Sequence, residues 1–278
     1  MPDKIIKVGH SPDPDDAFMF YGLASGKVKL DGITIEHMLE DIQSLNLRAM
    51  NAELEVTAIS AHAYPYVSDK YWIMATGASM GEQYGPVIVS KKFKTLAELR
   101  GKRVATPGKL TTATLLFSIF TDGIQHEDVP FDQIMERVSS GEFDAGLLIH
   151  EGQLTYTAEG FNKILDFGEL WHSESKGLPL PLGLDVVRCD LGEPLAKKLS
   201  LGLKQSIHYG YTHQNDAIPY ALQWGRGISR DLGEKFVKMY VSELTIDMGE
   251  KGKRALELLF ALGRKKGLIP AVNYLQLF

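Results

Sequence analysis

Three carboxylates fall within four residues in the stretch GHSPDPDDAFMF, Gly9–Phe20, directly after the apolar run Ile5, Ile6 and Val8. Asp13, Asp15 and Asp16 at that spacing suit three kinds of chemistry: a metal site, an acid–base pair, or the polar start of a helix. A metal site needs ligands converging from elsewhere, and the chain has neither an HxxxH pair nor a calcium-loop pattern to supply them, so no metal is expected. The helix start fits better. Asp13 takes the N-cap, Pro14 the favoured first position and Asp16 the place of a capping-box acid, with all three carboxylates complementing the helix dipole.

Two further stretches carry reactive side chains. In TPGKLTTATLLF a short strand with Val104 and Ala105 ends at Pro107-Gly108, and Thr111-Thr112 opens an apolar helix. Free N–H groups at a helix start, with two hydroxyls, suit a carboxylate or phosphate, although a plain threonine cap explains the pattern equally well. In DAGLLIHEGQLTY the apolar strand Ala145–Ile149 runs into His150-Glu151. A histidine beyond the carboxyl end of a strand stands where open α/β sheets bind ligands, and histidine is the natural general base near neutral pH. Glu151 is the adjacent candidate to orient it. Ser60 and His62 in AISAHAY suggest a nucleophile–base pair, but no G-x-S-x-G elbow surrounds them. The chain lacks GxGxxG and GxxxxGK[ST], so no nucleotide cofactor has a fingerprint here.

The elements that position these residues alternate. Strands are predicted at Lys4–Val8, Thr34–Leu39, Val56–Ser60, Trp72–Ala75, Pro86–Ser90, Lys102–Thr106 and Ala145–Ile149. Helices are predicted at Asp16–Val28, Ile42–Ala52, Thr111–Phe120 and Gln133–Ser139, and Thr95 with Glu98 forms a capping box before a short helix. From Gly192 on the chain reads as amphipathic helices, at Glu193–Tyr211, Ala217–Trp224, Asp231–Val241 and Gly252–Lys266, whose apolar Phe236, Tyr240, Leu259 and Phe260 are read as core rather than interface. Such alternation predicts an α/β protein with mostly parallel sheets flanked by helices. Extended segments near 87–91 and 182–187 divide it into a discontinuous first lobe, 1–91 plus 183–278, and an inserted second lobe, 92–182, with a ligand cleft between them.

Composition narrows the function. The chain has 278 residues, 44% hydrophobic and 23% charged, and a formal net charge of -5, which is too mild for a nucleic-acid surface. Basic residues outnumber acidic ones from Arg188 onward, and the acidic excess lies before it. The single cysteine, Cys189, forms no internal disulfide and is too little for a cysteine-built zinc site. No apolar run reaches the ~18 residues of a membrane span, and MPDKIIKVGH has no apolar signal segment, so a cytoplasmic location is expected.

The stretches SPDPDDAFMFYGL, LEDIQSLNLRAMN, VTAISAHAY, EQYGPVIVS, TPGKLTTATLL, DAGLLIHEGQLTY and LPLPLGL occur in this order along the whole chain. Together they resemble the 1,4-dihydroxy-6-naphthoate synthase family of the futalosine route to menaquinone. The resemblance implies a two-lobed fold of the type II periplasmic-binding-protein kind. It also implies cleavage of cyclic dehypoxanthine futalosine to 1,4-dihydroxy-6-naphthoate with release of dihydroxyacetone, without metal or organic cofactor. His150 then matches the proton acceptor. Thr111 and Thr112 match a pair that binds an aromatic carboxylate, Ala58, Ile59 and Ser60 match the ligand-contacting end of the third strand, and Ser11 faces the same cleft. This chain departs from the family pattern in having Asp13 for cysteine, Asp15 for asparagine, Ala17 for threonine and Ala58 for lysine. A carboxylate-binding solute receptor and a chorismate dehydratase-like sister enzyme are the alternatives, and the histidine in LLIHEGQLTY argues against the second.

Overall fold

The structure is a computed structural model that describes residues 3–224, 229–272 and 275–278. The chain lays down β1 (Lys4–His10), α1 (Pro14–Ala24), β2 (Ile33–Leu39), α2 (Ile42–Met50), β3 (Val56–Ser60), β4 (Tyr71–Ile73) and β5 (Ser79–Gly81). It then crosses to a second sheet and builds β6 (Val87–Ser90), β7 (Arg103–Thr106), α3 (Thr112–Phe120), β8 (Gln125–Asp128), α4 (Ile134–Ser139), β9 (Ala145–Leu148), α5 (Gly152–Thr155), β10 (Asn162–Asp166) and α6 (Phe167–Glu174). It returns along β11 (Leu180–Arg188) and then forms five α-helices among the described residues. These are α7 (Glu193–Thr212), α8 (Gln214–Leu222), α9 (Arg230–Tyr240), α10 (Glu243–Ile246) and α11 (Gly249–Lys265). The capping box of Thr95 and Glu98 is present, on a single 3-10 turn.

The first sheet has the order β2-β1-β3-β11-β4, with β5 also paired to β11; the second has the order β10-β6-β9-β7-β8. Both are mixed, and so less parallel than the alternation predicts. β1 runs parallel to β2 and β3, and β7 parallel to β8 and β9, as strand–helix–strand units require. The crossing strands run the other way: β11 lies antiparallel to β3, β4 and β5, and β6 antiparallel to β9 and β10. β6 is buried along its whole length, which is what a run of Val87, Ile88 and Val89 in a covered sheet demands. Since Val87–Ser90 pairs within the second sheet, and Leu180–Gly183 within the first, the sheets exchange the chain earlier than residues 91 and 182.

α1 packs on α7, α8 and α9, which buries Phe18, Phe20, Leu203, Ile207 and Ala217 in one cluster. α1 begins at Pro14, the first position that the capping pattern assigns to it and two residues ahead of the span Asp16–Val28 read from apolar spacing, and Gly26, at φ 68°, lies just past its end. Phe236, Tyr240, Leu259 and Phe260 are all buried. α11 packs against β11 and also against α3, so it ties the two sheets together. Among the described residues no helix is long and apolar enough to cross a membrane.

Candidate active site

The carboxyl ends of the central parallel strands of both sheets open onto one cleft. Ser11 follows β1, Ser60 ends β3, the loop after β7 leads to Thr111, and His150 follows β9. The cleft encloses about 700 Å3, its open mouth included. Ser11, Ala58, Ile59, Ser60, Thr111, Thr112 and His150 all line it, together with Asp13, Asp15, Asp16, Gln153 and Tyr240. That convergence follows from topology, because parallel strands deliver their carboxyl ends, and the loops after them, to one edge.

His150 sits at φ 53°, in the left-handed region that non-glycine residues seldom adopt and that clusters at functional sites. This turn directs the imidazole across the cleft. Its Nδ1 lies 3.1 Å from Oδ2 of Asp13, and the ring of Phe131 stands edge-on at 4.8 Å. Sequence adjacency pointed to Glu151 as the orienting acid; the acid beside the ring nitrogen is Asp13, from the other lobe. Hydrogen-bonding neighbours orient the Gln153 amide so that it donates to the Gly85 carbonyl at 2.6 Å and accepts from the Tyr240 hydroxyl at 2.7 Å and the His150 N–H at 3.1 Å. The His150 backbone is thereby held as well as its ring.

Asp13 is the N-cap of α1 by backbone conformation, yet its side chain makes no capping bond. Its Oδ2 instead accepts from the Ser11 hydroxyl and faces His150. Asp16 accepts from the Ser11 N–H at 2.6 Å. Burial first, then the neighbouring Asp16 and Asp13, pushes the Asp15 carboxyl well above the usual carboxylate range. Burial, then Asp185 and opposed by the Ser11 N–H, does the same to Asp16. Asp185, on β11 behind the cleft, is pushed up to about 8 by burial, and neither of its carboxylate oxygens has a hydrogen-bond partner among the described residues. Gly77, at φ 87°, makes room for it: a Cβ there would stand 2.0 Å from Oδ2 of Asp185. Among the described residues no three His, Cys, Asp or Glu side chains are grouped to hold a metal ion.

On the opposite wall, Thr111 caps α3: its hydroxyl accepts from the Thr114 N–H at 3.3 Å and donates to the Gly108 carbonyl at 2.9 Å. The Thr112 hydroxyl donates to the Leu182 carbonyl at 2.7 Å and accepts from the His62 N–H at 3.2 Å. Both hydroxyls are thus committed to backbone, and the first-turn N–H groups of α3 are what it presents to an anion. Ser60 and His62 are not a nucleophile–base pair. Asn46 holds Ser60 from both sides, accepting its N–H at 2.8 Å and donating to its Oγ at 3.0 Å. His62 points its Nδ1 to the Thr111 carbonyl at 3.1 Å, and burial lowers its pKa to about 4.

Four contributors escape a sequence reading: the side-chain role of Asp13, and Asn46, Gln153 and Tyr240. Asn46 carried one signal, an amide on the buried face of an amphipathic helix. Tyr240 carried none, since its spacing on α9 is that of ordinary core.

Two mixed α/β lobes, with a cleft at the strand ends between them, define a protein of the periplasmic-binding-protein-like fold. The alkanesulfonate-binding protein SsuA of Xanthomonas axonopodis shares that fold, with a TM-score of 0.72 at 12% identity over 98% of this chain and 96% of its own. The chain belongs to the menaquinone biosynthesis family, whose model matches residues 6–265. It is 37% identical over 263 residues to the 1,4-dihydroxy-6-naphthoate synthase of Thermus thermophilus, covering 95% of each chain. Identity to the synthase of the same name from Streptomyces coelicolor is 33% over 274 residues, 96% of each. The solved structure of protein AF1704 from Archaeoglobus fulgidus superposes with a TM-score of 0.91 at 45% identity, over 95% of this chain and 98% of that one. The chain is thus an enzyme of menaquinone biosynthesis.

Proposed function

We propose that this chain cleaves cyclic dehypoxanthine futalosine to 1,4-dihydroxy-6-naphthoate, releasing dihydroxyacetone, with His150 as general base. The carrying observation is His150 itself: a strand-end imidazole that lines the cleft and has its Nδ1 beside Asp13 of the opposite wall. In this reading His150 takes a proton from the substrate. The carbon–carbon bond next to the ketone then breaks in the retro-aldol sense: the three-carbon unit leaves with the electron pair as an enediolate, and the oxygenated ring carbon it departs from becomes a carbonyl whose enolisation makes the ring system aromatic. The proton held by His150 is then returned to the enediolate, giving dihydroxyacetone, so the cleavage balances with no oxidant and no added water, which makes the enzyme a lyase that works without metal or organic cofactor. N–H and O–H donors in a closed, water-poor cleft hold the oxyanion that develops.

Charge sets the orientation of the substrate. The Asp13 end of the cleft repels an aromatic carboxylate, whereas the first turn of α3 at Thr112 and Ala113 attracts one, so the carboxylate lies on α3 and the sugar-derived hydroxyls lie toward Ser11 and Asp15. The reading places the enzyme in the cytoplasm.

The test is to incubate the purified protein separately with cyclic dehypoxanthine futalosine and with chorismate and to follow products by chromatography. Formation of 1,4-dihydroxy-6-naphthoate from the first, with chorismate unchanged, is expected. Consumption of chorismate, or tight binding of the first compound without turnover, would overturn the reading.

A further inference from the structure

We propose that Asp13 is a positioning residue for the base. From across the cleft its carboxylate keeps the proton of the neutral His150 imidazole on Nδ1, which leaves Nε2 bare and directed at the substrate. The inference rests on the assignment of His150 as base and deepens it.

The geometry supports it from four sides. Oδ2 of Asp13 lies 3.1 Å from Nδ1 of His150, close enough for a charge-assisted hydrogen bond, and Asp13 is only 1% exposed. An aspartate at an N-cap ordinarily bonds the free N–H groups of its own helix, but Asp13 makes no such bond, and its side chain is turned to the cleft instead. The Ser11 hydroxyl donates to the same Oδ2 and so fixes the carboxylate. The imidazole is equally confined, by Phe131 against its edge and by Gln153 on its backbone N–H, with Gln153 anchored in turn to Gly85 and Tyr240. A carboxylate from the opposite wall of the cleft, rather than the neighbouring Glu151, thus decides which nitrogen carries the proton, as the carboxylate partners of other working histidines do.

The arrangement also joins the lobes. Asp13 leads into α1 beside the first sheet, and His150 follows β9 of the second. A base set from across the cleft is complete only while the two walls stand at this separation. Ligand-driven closure would then assemble the base together with the binding site.

The experiment is 15N NMR of the imidazole nitrogens in ligand-free, histidine-labelled protein at alkaline pH, with His150 assigned from its loss in His150→Gln. The Nδ1–H tautomer is expected in the wild type and the Nε2–H tautomer, which isolated histidine prefers, in Asp13→Ala. An Nε2–H tautomer in the wild type, or one unchanged by Asp13→Ala, overturns the proposal; the wild-type spectrum decides alone if the variant does not fold. In turnover, Asp13→Ala is expected to lower kcat about 10- to 100-fold with KM held within about threefold. A loss confined to KM would count against a positioning role. A wild type that fails to turn over the futalosine derivative overturns the functional reading, and the tautomer still decides this one.

Discussion

Oδ2 of Asp13 and Nδ1 of His150 lie 3.1 Å apart although the two residues belong to different lobes and are separated by more than a hundred positions in the chain. The contact follows from topology. Parallel strands β1 and β9, in separate sheets, both release their chains at the cleft, and the left-handed turn at His150 points its ring back toward the first lobe.

Removing the imidazole should separate chemistry from binding. His150→Ala is expected to lower kcat by about 10²- to 10⁴-fold, the usual contribution of a general base. The affinity for 1,4-dihydroxy-6-naphthoate, measured by calorimetry, should stay within a few fold. Full activity in the variant would remove His150 from the mechanism.

Asn46 is fully buried and clamps both the N–H and the hydroxyl of Ser60. Asn46→Ala strands those groups, at about 1–3 kcal/mol for a buried unsatisfied polar group. For a chain of this size that is a fall in Tm of several degrees, with a raised KM as the end of β3 loosens. An unchanged melting curve would show that Ser60 finds another partner.

Thr112 joins the walls through its bonds to Leu182 and His62. Thr112→Val preserves shape and β-branching while removing both bonds, a loss of about 1–3 kcal/mol. KM is expected to rise about 5- to 10-fold with kcat less affected, measured by steady-state kinetics. A fall in kcat alone would place Thr112 in the chemical step instead.

Buried Asp185 makes stability depend on pH. Its folded pKa of about 8 exceeds the unfolded value of 3.8, so the folded chain holds a proton that the unfolded chain has released between those limits. This contribution is fully present below pH 3.8 and is lost as pH rises through 8. Buried His10, lowered to about 3 by burial and by His37, acts in the opposite direction: its contribution is present above its ordinary 6.5 and lost as pH falls toward 3. Asp185→Asn removes the first effect, together with the repulsion Asp185 exerts on Asp16, and leaves the second. The difference in Tm between Asp185→Asn and the wild type should therefore rise steadily in favour of the variant from pH 4 to pH 8, and a flat difference would show that Asp185 titrates normally.

Much of this was legible in local pattern. Short apolar runs marked β1, β3 and β9 to within a residue or two, because a buried strand has no choice but to be apolar, and the half-exposed β2 was marked as closely. The hydroxyls and the histidine stood out because each interrupts such a run at its carboxyl end. Strand direction was less legible: β6 and β11 read like their neighbours, and an apolar strand looks the same whichever way it runs.

Charge at the start of α1 shows where local pattern stops. Asp13-Pro14-Asp15-Asp16 announces a helix start, and the helix does start there. Which way each carboxylate turns is settled by groups far along the chain: His150 beyond β9, Asp185 on β11, and Gln153 with Tyr240 behind the imidazole. Residue type and spacing determined the elements, their caps and the histidine at a strand end, since hydrophobic periodicity and capping act over a few residues. The partner of that histidine and the shifted carboxyls beside it were decided by tertiary structure alone, because burial and electrostatic coupling depend on distances that only the packed lobes establish.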